Sequence, residues 1–342
     1  MKSLTTNRLQ NIDALRGVCV LLVLFTHLAI APWFVGRVGV AAFFLVSGYV
    51  IPFSLQETGG IRSVMYFWIK RFFRLWPAYW LSILLAFAVM IPTATGQHAK
   101  GILLNISMLQ GFVGVENIIP VYWTLQIELF FYFLITVLLY FSSSQNEKYC
   151  TTLVLFFIAV YFFMALARFY VGIKFPVAIP IAMAMMFFTT ICRVRRINGL
   201  SLPVLLGIIL LISLIPTCLL AYADVTKPGE SSGYYIAAYF LSFLLFFFFE
   251  KIKKVPTVLI FLGSISYSFY LLHELVIFFV KKYFSELNLV SVFFTVLLIT
   301  IFISWISFFF IEKPAQNSGR KLLNFVKNRY PIALKKERVK SV

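Results

Sequence analysis

Four places in this chain set ionisable or hydrogen-bonding side chains into otherwise apolar sequence. The first is Asp13-Ala14-Leu15-Arg16, followed by His27. Arg16 and His27 stand 11 residues apart, about three helical turns, so on a helix they share a face with roughly 16 Å between them along the axis. Asp13 is spaced to pair with Arg16 at i,i+3, and Arg16 to reach an interface. His27 suits either a hydrogen bond between helices or work as a general base. The second place is Lys70-Arg71-Phe72-Phe73-Arg74-Leu75-Trp76-Pro77. Arg71 and Arg74 project from one side of a helix start, and arginine is the residue type that forks phosphate oxygens. Pro77 fits a helix start. The third is Tyr122-Trp123-Thr124-Leu125-Gln126-Ile127-Glu128, where a carboxylate enters an apolar run and needs a partner or a wet cavity. The fourth is Ser264-Ile265-Ser266-Tyr267-Ser268-Phe269-Tyr270-Leu271-Leu272-His273-Glu274. Ser266, Tyr270 and His273 recur at helical spacing there, a polar stripe suited to hydrogen bonds between helices.

Other chemistries lack their signatures. The sequence holds no phosphate-binding glycine loop, no HExxH metal helix and no GxSxG nucleophile turn. Cys19, Cys150, Cys192 and Cys218 lie in or beside apolar runs without CxxC spacing, so neither a metal site nor a disulfide framework is indicated. No bound metal or bound cofactor is expected. Asn105-Ile106-Ser107 is a weak sequon, and Ser47-Gly48 reads as a small-residue packing site because no base adjoins it.

These residues must be positioned by membrane helices. Of 342 residues, 61% are hydrophobic and only 12% charged, with 40 Phe. Such a chain cannot cover a water-soluble surface, and disorder is equally disfavoured. Ten apolar segments are predicted as spans: Ile12–Ala31, Gly39–Leu55, Leu75–Thr93, Thr124–Phe141, Cys150–Tyr170, Phe175–Cys192, Leu200–Ala221, Tyr234–Phe249, Thr257–Val280 and Leu289–Ile311. The stretch Gly101–Val115 is short and interrupted by glycine, and reads as an interfacial or re-entrant piece. The expected fold is therefore an all-α, polytopic membrane helix bundle, with residues 1–313 as the membrane domain and 314–342 as a basic tail that can lie against anionic lipid.

Lys and Arg number 30 against 12 Asp and Glu, a net charge of +18. The excess points to the positive-inside bias rather than to nucleic acid. With ten spans and both termini in the cytoplasm, 23 of the 30 basic residues fall inside and 7 outside. The start resembles a signal peptide, but Asp13 and Arg16 sit just before the apolar run and Pro32 follows the apparent cleavage site, so it reads as a retained first span.

Taken in order, the motifs resemble the membrane-bound acyltransferase-3 family of bacterial O-acyltransferases. Arg16 with His27 resembles its opening Arg-x10-His, and Gly39 to Tyr49 its second-span signature. Arg71-Phe72-Phe73-Arg74 with Pro77 resembles its RxxR-x-x-P segment. Trp123 to Glu128 resembles its Trp-Ser-Leu-x-x-Glu, with Thr124 where serine is usual, and Ser266 to His273 resembles its late Ser-Tyr-x-x-Tyr-x-x-His. The resemblance implies transfer of an acyl group, usually acetyl, from cytoplasmic acyl-CoA to a hydroxyl of a sugar on the far side of the bacterial inner membrane. Acyl-CoA would be a co-substrate, and the acceptor a surface polysaccharide, an O-antigen or a related glycan, free or lipid-linked. In that scheme Arg16, Arg71 and Arg74 hold the phosphates of CoA, His27 is the base, and Glu128 orients His27 or the acceptor. Asp13, Ser266, Tyr270 and His273 support the site. The rival class is a proton-coupled secondary transporter, which intramembrane Arg, His and Glu also suit. No internal repeat supports it.

Overall fold

A computed structural model of the chain describes residues 2–54, 60–90, 99–141, 143–173, 175–223 and 231–329. Thirteen helices appear among the described residues, and no strand. They are α1 (Lys2–His27), α2 (Trp33–Val50), α3 (Gly60–Met90), α4 (Ala99–Ser107), α5 (Trp123–Phe141), α6 (Glu147–Val171), α7 (Ala178–Ile197), α8 (Val204–Ala221), α9 (Ser232–Lys251), α10 (Thr257–Ser264), α11 (Ser266–Tyr283), α12 (Leu289–Ser307) and α13 (Lys313–Arg329). The all-α expectation holds. The residues expected as the far end of the tail, 330–342, lie outside the described residues, as do Lys174 and Lys227.

Eight helices among the described residues are long and apolar enough to cross a membrane, or nine if α10 and α11 cross as one. Ten were expected, and that count is not reached. Helix α1 is not among the eight, because Gln10, Asn11, Asp13 and Arg16 at one end and Thr26 and His27 at the other dilute its apolar run. It lies inside the bundle all the same, packed on α2, α9, α10 and α11, with Ala14, Leu15, Cys19 and Leu24 fully buried. The closest approach is to α10. A Cβ on Gly17 or on Gly263 would run into the backbone of the other helix, so two side-chain-free positions let α1 and α10 touch main chain to main chain.

The expected span Thr257–Val280 is broken. Helices α10 and α11 meet at 76° around Ile265. Ser264 and Ser266 flank the break and turn their hydroxyls back onto the carbonyls of Phe261 and Gly263, satisfying groups the broken ladder frees. The bend aims the polar stripe of α11 into the bundle: Ser266, Tyr270 and His273 are all buried.

Helix α7 forms the most enclosed part of the core, with every residue from Pro180 to Cys192 buried. Helices α8 and α12 instead expose apolar side chains such as Leu205, Ile212, Leu298 and Phe302 over their outer faces, as lipid-facing helices do. Hydrogen bonds from Asn11 to Ile252, Arg193 to Tyr49 and Ser144 to Pro52 bring the start of α1, the ends of α2, α7 and α9 and the start of α6 to one end of the bundle. Lysines and arginines gather there, and we call it the basic end.

The stretch after α3 is re-entrant in form. Helix α4 has nine residues, too few to span, and a turn at Gln110–Val113 follows. Asn105 holds it together: its amide nitrogen donates to Gly101 and Glu116 carbonyls at 3.0 Å each, and its oxygen accepts from the Ile118 amide at 3.0 Å. A fully buried structural asparagine leaves no glycan acceptor at the sequon.

The first part of the basic tail, as far as Arg329, is helical. Helix α12 passes through one wide turn, Phe308–Glu312, into α13, and α13 packs back on α3. Its glycine at 319 is required there: a Cβ would stand 2.7 Å from the Cβ of Phe73.

Candidate active site

Two cavities lie one above the other along α1. The lower one, at the basic end, has a volume of about 320 Å³ and is walled by Asp13, Arg16, Arg71, Arg74, Glu128 and Ser266, with Ser47 and Tyr132 also facing it. The spacing of the motifs thus brings three arginines from α1 and α3 together. Arg16 pairs with Asp13 at 3.5 Å. Arg71 lies over the rings of Phe67 and Tyr132, 5.5 and 5.3 Å from their centroids. Glu312, buried at the end of the wide turn that follows α12, accepts a hydrogen bond from Ser268 and stands within electrostatic reach of Arg74 and Arg16.

The upper cavity has a volume of about 530 Å³ and is walled by His27, Glu274, Trp33, Trp123, Arg37 and Tyr235, among others. His27, at the last turn of α1, has its Nδ1 3.0 Å from Glu274 Oε1. An ionised carboxylate accepts only, so Nδ1 carries the proton and Nε2 holds the lone pair. His273 stands behind, its ring centroid 5.0 Å from that of His27 in an edge-on arrangement. The His273 Nδ1 lies 2.7 Å from the Tyr270 carbonyl, which fixes its proton there and leaves a buried Nε2 without a hydrogen-bond partner.

Glu128 is where the sequence reading and the geometry part. It was expected to orient His27 or the acceptor. It lines the lower cavity instead, accepting a 2.6 Å hydrogen bond from Tyr132 beside the arginines. The carboxylate on His27 is Glu274, the last residue of the fourth motif. Glu274 and Glu312 both carried a signal, since each is an acidic group within an apolar helix. His27, His273 and Glu274 also offer ligand atoms within 4.8 Å of one another, a spacing that a metal ion can bridge. The hydrogen bond between His27 and Glu274 uses two of those three, which suits a base and its orienting acid.

Tyr270 and Phe44 line both cavities. The Tyr270 hydroxyl bonds Thr124 Oγ1 at 2.9 Å, and Thr124 also reaches the Val121 carbonyl at 3.0 Å. The departure from serine at position 124 therefore keeps a hydroxyl where one is used. Arg16 and His27 face neighbouring chambers with the Tyr270 ring in the shared wall. Ser266, four residues or about one helical turn nearer the basic end, lines the lower chamber, so α11 runs beside α1 from the arginines to the imidazole.

Comparison with known proteins places this arrangement in a class. The acyltransferase domain of the acyltransferase-3 family matches residues 9–309, and the chain belongs to that family. It is 26% identical over 94% of its length to the Staphylococcus aureus (strain MRSA252) protein named "Putative O-acetyltransferase SAR0937", covering 59% of that relative. A counterpart from strain COL, SACOL0978, is likewise 26% identical over 92% of this chain and 58% of its own length. The chain thus spans about three fifths of these relatives. "Acyltransferase MdmB" of Streptomyces mycarofaciens is 27% identical over 36% of this chain and 38% of its own. No solved structure matches.

Proposed function

We propose that this chain transfers an acyl group, acetyl by preference, from acyl-CoA to a hydroxyl of a carbohydrate across the bacterial cytoplasmic membrane. The basic end faces the cytoplasm, as the distribution of lysine and arginine favours, and both termini lie on that side. Arg16, Arg71 and Arg74 hold phosphate by charge-assisted hydrogen bonds. The pantetheine arm rises along α1 and α11, bringing the thioester past Tyr270. The acceptor, a surface glycan that can be lipid-linked, enters the upper cavity, where Trp33 and Trp123 offer flat apolar faces. His27 Nε2 takes the proton from the acceptor hydroxyl as its oxygen attacks the thioester carbonyl. The carbon–sulfur bond breaks and the departing thiolate takes a proton, leaving an ester and free CoA. Glu274 holds the imidazole tautomer and stabilises the imidazolium that forms.

The observation that carries this reading is a Glu-oriented histidine in one chamber and a triple-arginine cluster in the next, with Tyr270 and Phe44 shared between them. Membranes with the protein are expected to move label from acetyl-CoA onto glycans, and mass spectrometry of surface glycans is expected to find acetyl esters that depend on it. His27→Ala should abolish both while still inserting in the membrane. Near-normal acetylation by that variant refutes the base role. Two chambers in line along α1, carrying intramembrane Arg, His and Glu, also suit a proton-coupled transporter. Glycan movement without label transfer would support that rival.

A further inference from the structure

A further, smaller cavity of about 200 Å³ opens at the basic end between α3 and α13. Lys70, Arg71, Arg74 and Arg320 converge on it, with Gln316 beside them. Its wall contains no acidic side chain among the described residues, whereas the lower chamber sets Asp13 and Glu128 among its arginines. Two donors at this cavity, Arg71 Nε and Gln316 Nε2, are shielded from solvent without a hydrogen-bond partner, a state that folded proteins rarely leave unexplained. Lys70 donates to the Ser54 carbonyl and Arg320 to Asn317, and each keeps further N–H groups for a ligand. Helix α13 is held in place by the contact of Gly319 with Phe73, so Gln316 and Arg320 belong to a formed wall.

We infer that this pocket receives the 3′-phosphate of coenzyme A, with the pyrophosphate and pantetheine arm in the lower chamber. This rests on the acyl-CoA reading above. A phosphate monoester carries close to two negative charges and three strong acceptor oxygens at neutral pH. It therefore belongs in the acid-free pocket with four cations rather than in the mixed one. The two cavities share Arg71 and Arg74. Adjoining anion sites with a common wall suit a donor whose two phosphate groups are joined through one ribose. The helix after the last span is then part of the donor site. A lipid headgroup phosphate at the membrane surface offers the same chemistry, and the test separates the two.

The full chain in phosphatidylcholine nanodiscs is titrated with coenzyme A and with 3′-dephospho-coenzyme A. Wild type is expected to prefer coenzyme A by about tenfold or more, the scale of a hydrogen-bonded charge pair. Arg320→Ala should weaken coenzyme A about five- to tenfold and leave 3′-dephospho-coenzyme A within about twofold. The preference should persist when phosphatidylglycerol is added. Equal binding of both ligands by wild type overturns the pocket assignment with no variant needed. So does equal weakening of both by Arg320→Ala. Loss of the preference in phosphatidylglycerol assigns the pocket to a lipid headgroup. If neither ligand binds wild type, the acyl-CoA reading itself falls, and this inference with it.

Discussion

Removing the carboxylate behind His27 should cost rate rather than donor affinity. The His27–Glu274 contact is 3.0 Å, and the two side chains are only 24% and 13% exposed, so solvent screens it little. A hydrogen bond to a charged group contributes about 1.5–3 kcal/mol. Its value here rises as the imidazole becomes an imidazolium, so most of it is felt in the transition state. At about 1.4 kcal/mol per tenfold, Glu274→Ala should lower the transfer rate about 10- to 150-fold. Glu274→Gln keeps an acceptor for Nδ1–H without the charge, and should fall near the lower bound. The assay follows labelled acetyl from acetyl-CoA to glycan in membrane vesicles, with coenzyme A binding measured alongside. A second cycle in the His27→Ala background should find no further effect of Glu274→Ala, because the two act as one unit. A Glu274→Ala rate within twofold of wild type would sink the orienting role. So would a loss expressed in coenzyme A binding, or losses that simply add in the double variant.

Tyr270→Phe keeps the ring between the chambers and drops the bond to Thr124, so transfer should decline only a few-fold, on the order of one net hydrogen bond. Tyr270→Ala leaves only Phe44 of the two side chains shared by the chambers: release of free thiol from acetyl-CoA without acceptor should rise, and donors with longer acyl chains should become competent. Thiol release no faster than wild type would argue that the ring does not separate the chambers. Gly263→Leu forces side-chain volume between α1 and α10, and overpacking of this kind costs about 1–3 kcal/mol or more. It should lower the thermal midpoint in detergent and the yield in membranes, while Gly233→Ala, with no neighbour near its Cβ position, should do neither.

The arginines of the lower chamber were legible because their spacing is local: Arg71 and Arg74 share a helix side, although α3 starts at Gly60, so that they and Pro77 lie within the helix and not at the expected helix start. The partner of His27 was not legible. His273 and Glu274 are adjacent residues that diverge on a helix, and only the path of α11 past α1 sets both against one imidazole. The level of Glu128 was not legible either: Trp123 lines the upper chamber, and Glu128, more than one turn further along α5, lies among the arginines. The break at Ile265 had no proline to announce it, only serines that look unremarkable in an apolar run. Helix α13 read as tail because its charges dominate its composition, while the residue that seats it is a glycine.

Tyr270 holds its neighbours with different parts of itself. Its hydroxyl is fastened to Thr124, and its main-chain carbonyl is fastened to His273. A turn about the Cα–Cβ bond would swing the aromatic leaf aside and leave the frame that carries the second imidazole standing still. The Thr124 bond would be lost in that swing, while the bond between the Tyr270 carbonyl and His273 would be kept.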